Sequence, residues 1–197
     1  AYASYTRGFK PGGSNLTFGR EDVVSPIVVL PIFEEETIDA YEVGLKTDLA
    51  DGRVRLNGAA FFYTYDNLQY QATDPEVYQG GVGNIPESEI MGVELELGAF
   101  LTDSLIFDAR LAWLDTEITS SHLALDNVES EAATNALLAQ GIGLVSPDVE
   151  IARAGQITDV EGNELAKTPS FTANLALTYA SPISSWGSIE GSQSYTH

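Results

Sequence analysis

Glu94 and Glu96 are the side chains of this 197-residue chain whose spacing most suggests chemistry. Two positions apart on a strand, they share one face at about 7 Å from each other, given a rise of about 3.3 Å per residue. Two carboxylates at such separations can run glycoside hydrolysis. A third acid in phase would strengthen that reading, but Gly98 follows Glu96 and Glu89 is out of phase with the pair. A solvated pair is therefore expected rather than a catalytic one. Arg7, Lys10 and Arg110 could instead contact an anionic ligand through charge-assisted hydrogen bonds. Carboxylates outnumber basic residues by 29 to 9, however, so local ion pairing competes for each of the three. Asp159, Glu161, Asn163 and Glu164 offer oxygen ligands for calcium without EF-hand spacing, and Glu34, Glu35 and Glu36 read as a solvated loop. His122 and His197 are too few and too separated for a metal cluster. No Cys, G-x-S-x-G, phosphate loop or dinucleotide fingerprint occurs. No metal or cofactor is expected.

These residues need elements to hold them, and the hydrophobic period supplies strands. Between Ile38 and Leu49, the odd positions Tyr41, Val43, Leu45 and Leu49 are apolar, while Glu42, Gly44, Lys46 and Asp48 fill the even ones. A period of two marks a strand with unlike faces. Met91–Ala99 repeats it, with Val93, Leu95 and Leu97 against Glu94 and Glu96. Leu105–Trp113 sets Phe107, Leu111 and Trp113 against Asp108 and Arg110, and Phe171–Tyr179 sets Leu175 and Leu177 against Thr172 and Asn174. Arg53–Phe62 alternates less cleanly, and Ala1–Lys10 and Trp186–Thr196 read as strands by composition. About seven strands are expected, with one short helix over Ser130–Gln140, N-capped by Ser130 and closed by Gly141.

The connections alternate in length. Leu49–Arg53 (with its Asp-Gly), Phe100–Ser104 and Ser181–Trp186 are short, whereas 11–37, 71–88 and 119–167 are long. In an antiparallel meander this order puts every turn at one end and every large loop at the other, as in outer-membrane barrels. Strands such as Ile38–Leu49 and Leu105–Glu117 have the about 9–11 residues a tilted membrane strand needs. Tyr41, Trp113 and Phe171 toward the loop end, and Tyr179 and Trp186 toward the turn end, sit where interfacial aromatics belong.

Composition narrows the classes further. A formal charge of −20 repels phosphate backbones, so no nucleic-acid partner is expected. With 44% hydrophobic and 19% charged residues, the chain is not a disordered acidic tail. No run of 18 apolar residues exists to form a membrane helix.

Four stretches resemble one family in its order and loop rhythm. AYASYTRGFKPGG (Ala1–Gly13), ETIDAYEVGLKTDLADGRVRLNGAAFFYTYDNLQ (Glu36–Gln69), GVELELGAFLTDSLIFDARLAWLDTE (Gly92–Glu117) and TPSFTANLALTY (Thr168–Tyr179) are similar to strands of TonB-dependent outer-membrane receptors. The resemblance implies barrels of about 22 strands with a plug domain in the lumen. It also implies external binding of a scarce small molecule (an iron chelate, cobalamin or an oligosaccharide), with import energised by the inner-membrane TonB complex acting through the plug. No chemistry on the ligand is implied.

The expected fold is thus all-β, an antiparallel transmembrane β-barrel segment with long external loops and short periplasmic turns. Residues 1–197 would be part of one barrel in a Gram-negative outer membrane, completed by further strands. Glu42, Lys46, Glu94, Glu96 and Asp108 are expected to face the lumen. Tyr41, Val43, Leu45, Val93, Leu95 and Leu97 should face lipid, and so should Phe107, Leu111, Trp113, Leu175 and Leu177. The rival readings are a soluble acidic β-sandwich that binds or cleaves glycans through Glu94 and Glu96, and a passive outer-membrane pore.

Overall fold

The computed structural model describes residues 1–15, 32–73, 80–144, 146–181 and 189–196. In chain order its elements are β1 (Tyr2–Lys10), β2 (Gly13–Ser14), β3 (Ile32–Phe33), β4 (Glu36–Leu49), β5 (Val54–Thr73), β6 (Gly80–Phe100), β7 (Leu105–Ile118), β8 (Leu123–Leu125), α1 (Asn127–Ala139), α2 (Pro147–Ala154), β9 (Ile157–Asp159), β10 (Phe171–Ser181) and β11 (Ile189–Thr196). Seven strands form one antiparallel sheet in the order β1-β4-β5-β6-β7-β10-β11. Each long strand therefore lies beside the next one in sequence, a meander with β1 and β11 at its edges. Two small hairpins, β2/β3 and β8/β9, stand apart from this sheet at its loop end.

Register sorts the side chains into two populations. Val43 pairs with Ala60, Ala60 with Val93, Val93 with Trp113 and Trp113 with Phe171, so these five share a row on one face. The row Lys46, Asn57, Glu96, Arg110 and Asn174, three residues further along, lies on the reverse. Because successive side chains alternate across a strand, the parity read from the sequence carries through the whole sheet.

Both the β4–β5 and the β6–β7 turns are tight, and the first carries a glycine. Ala50, Asp51 and Gly52 all take positive φ (51°, 55° and 84°), and Gly52 N–H donates to the Leu49 carbonyl at 3.2 Å. At the β6–β7 turn, Leu101 N–H donates to the Leu105 carbonyl at 2.8 Å.

The long connections differ from the expected ones. Residues 71–88 are largely not a loop, because β5 continues to Thr73 and β6 starts at Gly80. Glycines at 80, 81 and 83 and Pro86 read as turn residues, yet Gly81 pairs with Ala72 and Gly83 with Tyr70. Pro86, which lacks an N–H, stands opposite Asn67, whose φ is +56°. Asn84 Nδ2 donates to the Asn67 carbonyl at 2.8 Å, and the ladder resumes in the same register. The 11–37 stretch contains β2 and β3 and ends inside β4; its residues 16–31 lie outside the described residues, as do Trp186 and most of the last expected turn.

The 119–167 stretch holds β8, β9 and two helices. Helix α1 begins earlier than expected, at Asn127, because Asp126 caps it by accepting from the N–H groups of Val128 (2.9 Å) and Glu129 (3.0 Å). Ser130 is instead buried inside the helix. Gly141, at φ +83°, closes the C-terminus as its position suggests. Helix α2 was not anticipated, although Ser146 at the N-cap followed by Pro147 is its signature. The helices pack on each other, and Arg153 Nε donates to Thr134 Oγ1 at 3.0 Å.

Candidate functional site

On the polar face several charged residues have side-chain partners. Glu96 accepts from Asn57 Nδ2 at 3.2 Å and pairs with Arg110 at 3.7 Å, while Glu42 accepts from the Tyr2 hydroxyl. Lys46 Nζ lies 5.6 Å from the centroid of the Tyr2 ring. With Glu96 tied to Asn57 and Arg110, the Glu94/Glu96 pair looks like an ion-pairing surface rather than an acid–base couple. The Arg110–Glu96 pair is well exposed on both sides (side chains 75% and 55%), so Arg110→Ala is expected to change folding stability by no more than about 1 kcal/mol, measured by urea titration.

The three candidate cations do not converge within this sheet. Arg7 pairs with Asp39 at 3.7 Å on the face that carries Tyr41 and Val43. Lys10 is aligned with Glu36 on the opposite face. Arg110 shares that second face but lies on β7, four strands away from β1.

The other face is apolar over a continuous band. It runs from Tyr41 to Leu49 on β4, Val54 to Phe62 on β5, Met91 to Ala99 on β6, Leu105 to Trp113 on β7 and Phe171 to Tyr179 on β10. Tyr41, Val43, Met91, Val93, Leu95, Trp113 and Phe171 are all exposed. Among the described residues no second sheet covers the band. Between β6 and β7 its edge shifts by two residues, since Met91 pairs with Asp115 and Val93 with Trp113. A stagger of this kind is what tilted strands in a closed barrel require.

At the loop end a cavity of about 460 Å³ opens between the β5–β6 extension and the 119–167 segment. Leu68, Ile85, Ile118, Val160 and Leu165 form apolar walls, and the Tyr70 hydroxyl lies 2.8 Å from His122 Nε2 with the rings edge to face. Ile118 and Thr116 share the Arg110 face of β7. Sequence reasoning missed it because it treated 71–88 and 119–167 as unrelated loops. The available signal was the Tyr70–Ile85 stretch, which keeps enough β-forming residues to extend the hairpin.

Asp159 organises the wall rather than a cation. Its Oδ1 accepts from the N–H groups of His122 (3.0 Å) and Glu161 (3.1 Å), and its Oδ2 accepts from Ser121 Oγ at 2.6 Å. Among the described residues no group of three or more His, Cys, Asp or Glu side chains is placed to hold a metal ion.

Burial lowers the His122 pKa, opposed by nearby Asp159, and hydrogen bonds from Ser121, Glu161 and His122 lower that of Asp159. For His122 the folded value lies below the unfolded one, so acidification below about pH 6.5 favours opening of this segment. Asp159 adds stability above its unfolded pKa and loses it as pH falls through the lower folded value. Hydrogen exchange at Val160 and Gly162, corrected for intrinsic rates, is expected to be faster at pH 5 than at pH 7.5. Equal protection would contradict this.

Comparisons with known proteins agree on one family. The profile described as "TonB dependent receptor-like, beta-barrel" matches residues 1–197. The chain is 29% identical over 120 residues to the "Probable TonB-dependent siderophore receptor PiuA" of Acinetobacter baumannii, covering 61% of this chain and 15% of that protein. It is 29% identical over 118 residues to the "Metal-pseudopaline receptor CntO" of Pseudomonas aeruginosa, covering 60% and 15%. Among solved structures, the ferric yersiniabactin uptake receptor FyuA of Yersinia pestis aligns with a TM-score of 0.56 at 17% identity, covering 95% of this chain and 21% of that one. BauA, the ferric preacinetobactin receptor of Acinetobacter baumannii, aligns with a TM-score of 0.55 at 16% identity, covering 98% and 22%. At those identities the structural likeness shows the fold alone. The chain spans about 15% of the length of the curated relatives it matches.

Proposed function

The chain belongs to the TonB-dependent receptor β-barrel family, and from that premise we propose that it forms part of the wall of a Gram-negative outer-membrane receptor that imports an iron or other metal chelate. In this reading the external loops capture the chelate, a plug domain gates the lumen, and the TonB complex supplies inner-membrane energy through that plug. The names of the relatives, a siderophore receptor and a metal-chelate receptor, favour a metal complex over cobalamin or an oligosaccharide. The protein does no chemistry on its ligand.

The observation that carries the reading is the uncovered apolar band. Eight steps from Tyr41 to Leu49 span about 26 Å along the strand, or about 20 Å along the membrane normal at a tilt of about 40°, near the about 25 Å height of barrel hydrocarbon bands. Tyr41, Val43, Leu45, Val93, Leu95, Leu97, Phe107, Leu111, Trp113, Leu175 and Leu177 face lipid. Glu42, Lys46, Glu94, Glu96 and Asp108 line the lumen, where water and mutual pairing offset the cost of burying charge. A β-sandwich would need a second sheet about 10 Å above this band.

The test uses the whole receptor. Deleting its gene should abolish uptake of radiolabelled ferric chelate that depends on the proton-motive force, and the intact gene should restore it. Uptake that persists after the proton-motive force is collapsed would favour a passive pore. Extraction of the full protein into buffer without detergent would favour the sandwich.

A further inference from the structure

Both arms of the 11–37 connection are fastened to the β5–β6 extension by side-chain amides. On the first arm Asn15 meets Val82 twice: its Nδ2 donates to the Val82 carbonyl at 2.9 Å, and its Oδ1 accepts from the Val82 N–H at 2.9 Å. On the second arm Asn84 meets Glu34 in the same way, accepting from the Glu34 N–H at 2.8 Å and donating to the Glu34 carbonyl at 3.2 Å. Gln69, the ladder partner of Asn84, joins the two arms. Its Nε2 donates to the carbonyls of Pro11 (3.1 Å) and Glu34 (3.0 Å), and its backbone N–H donates to Glu36 Oε2 at 2.7 Å.

These contacts need an amide. A carboxylate only accepts and an ammonium only donates, whereas each Asn here donates to the carbonyl and accepts from the N–H of a single residue. The backbone partners also fix which amide atom is which, since an N–H must meet oxygen and a carbonyl must meet nitrogen. Two backbone features support the same contacts. Asn67 takes a φ of +56°, and its carbonyl accepts from Asn84 Nδ2 at 2.8 Å, so Asn84 is held by its own hairpin while it reaches across to Glu34. Between the arms, a Cβ on Gly12 would stand 2.6 Å from the Phe33 carbonyl oxygen and 3.0 Å from Glu35 N, an approach of backbone to backbone that leaves no room for a side chain.

We propose that Asn15, Gln69 and Asn84 are positioning residues of a clasp that locks both arms of the 11–37 connection to the β5–β6 extension, so that the arms and the extension open together and not one at a time. Each arm is fastened at its own point, Asn15 to Val82 and Glu34 to Asn84, while Gln69 and the close approach at Gly12 tie the arms to each other. Releasing one fastening therefore loosens the other. The proposal goes beyond the receptor reading, because it stands on hydrogen bonds within the chain and holds for any ligand.

The test is amide hydrogen exchange in the full receptor in lipid nanodiscs at neutral pH, resolved by residue with mass spectrometry. Asn15→Leu removes the fastening of the first arm, and its readout is the Glu34 N–H, which Asn84 holds on the second. Exchange there should rise about tenfold, roughly the effect of one lost hydrogen bond. Asn84→Leu should speed exchange of the Val82 N–H, held by Asn15, by a similar factor, and it supplies the answer if Asn15→Leu does not fold. Asn84→Asp controls for shape. It keeps the size of the side chain, but once ionised it sets an oxygen against the carbonyls of Glu34 and Asn67, so exchange should be as fast as in Asn84→Leu. Unchanged Glu34 protection in a folded Asn15→Leu receptor would show that the arms open separately and would overturn the proposal. Parent-like protection in Asn84→Asp would overturn it too, because Asn84 would then act by filling space.

Discussion

Leu95→Arg is expected to destabilise folding into lipid by about 2–4 kcal/mol, whereas Glu94→Arg, one residue away, should be nearly neutral. Leu95 stands at the centre of the Met91–Ala99 band on β6, flanked by Gly58 on β5 and Leu111 on β7. In the proposed orientation its side chain meets hydrocarbon at the midplane, where an arginine must snorkel or draw water inward. Glu94 is on the reverse face, next to Ala59 and Ala112, and an arginine there stays hydrated. Urea-dependent folding of the full barrel into vesicles measures both variants. Equal losses would contradict the assignment of the two faces.

Gly92→Val is the second large effect, through packing. A Cβ at Gly92 would stand 2.6 Å from Phe61 Cζ, 2.8 Å from Leu114 Cδ2 and 2.8 Å from the Trp113 carbonyl oxygen. The Phe61 ring and the leucine can move, but the carbonyl belongs to a ladder strand held from both sides by β6 and β10. Overpacking of this kind costs about 1–3 kcal/mol. Gly58 is the control: the nearest atom to its added Cβ is Leu95 Cδ1 at 3.6 Å, ordinary contact, so Gly58→Ala should leave the urea midpoint unchanged within error. A Gly92→Val barrel as stable as the parent would show that β6 and β7 pack less closely than they do here.

The meander was legible because period-two alternation is a property of single strands that register then propagates. Val93 and Glu94 declare their faces in sequence, and pairing with Ala60 and Ala59 can only preserve that parity. The turn at Ala50–Gly52 was legible for the same local reason. What escaped were features fixed by long-range pairing. Gly80, Gly81 and Gly83 look like turn residues until Tyr70 and Ala72 pair with the last two across the hairpin. Arg7 was grouped with Arg110 by charge, but its partner Asp39 and its parity place it on the opposite face. The cavity was invisible because its two halves, Tyr70 and His122, lie 52 positions apart and meet only when the β5–β6 extension reaches the helical loop. Helix α1 started early because Asp126, rather than Ser130, has a carboxylate free to cap.

Whether the band touches hydrocarbon can be read directly with nitroxide labels. The chain has no cysteine, so a cysteine introduced at Val43, Leu95, Leu111 or Glu94 is unique within it. With the whole receptor in lipid vesicles, relaxation by oxygen dissolved in the bilayer should exceed relaxation by a water-soluble nickel chelate at Val43, Leu95 and Leu111, and the order should reverse at Glu94. Labels at the first three positions that are reached by the nickel chelate, or shielded from both agents alike, would contradict a lipid-facing apolar band.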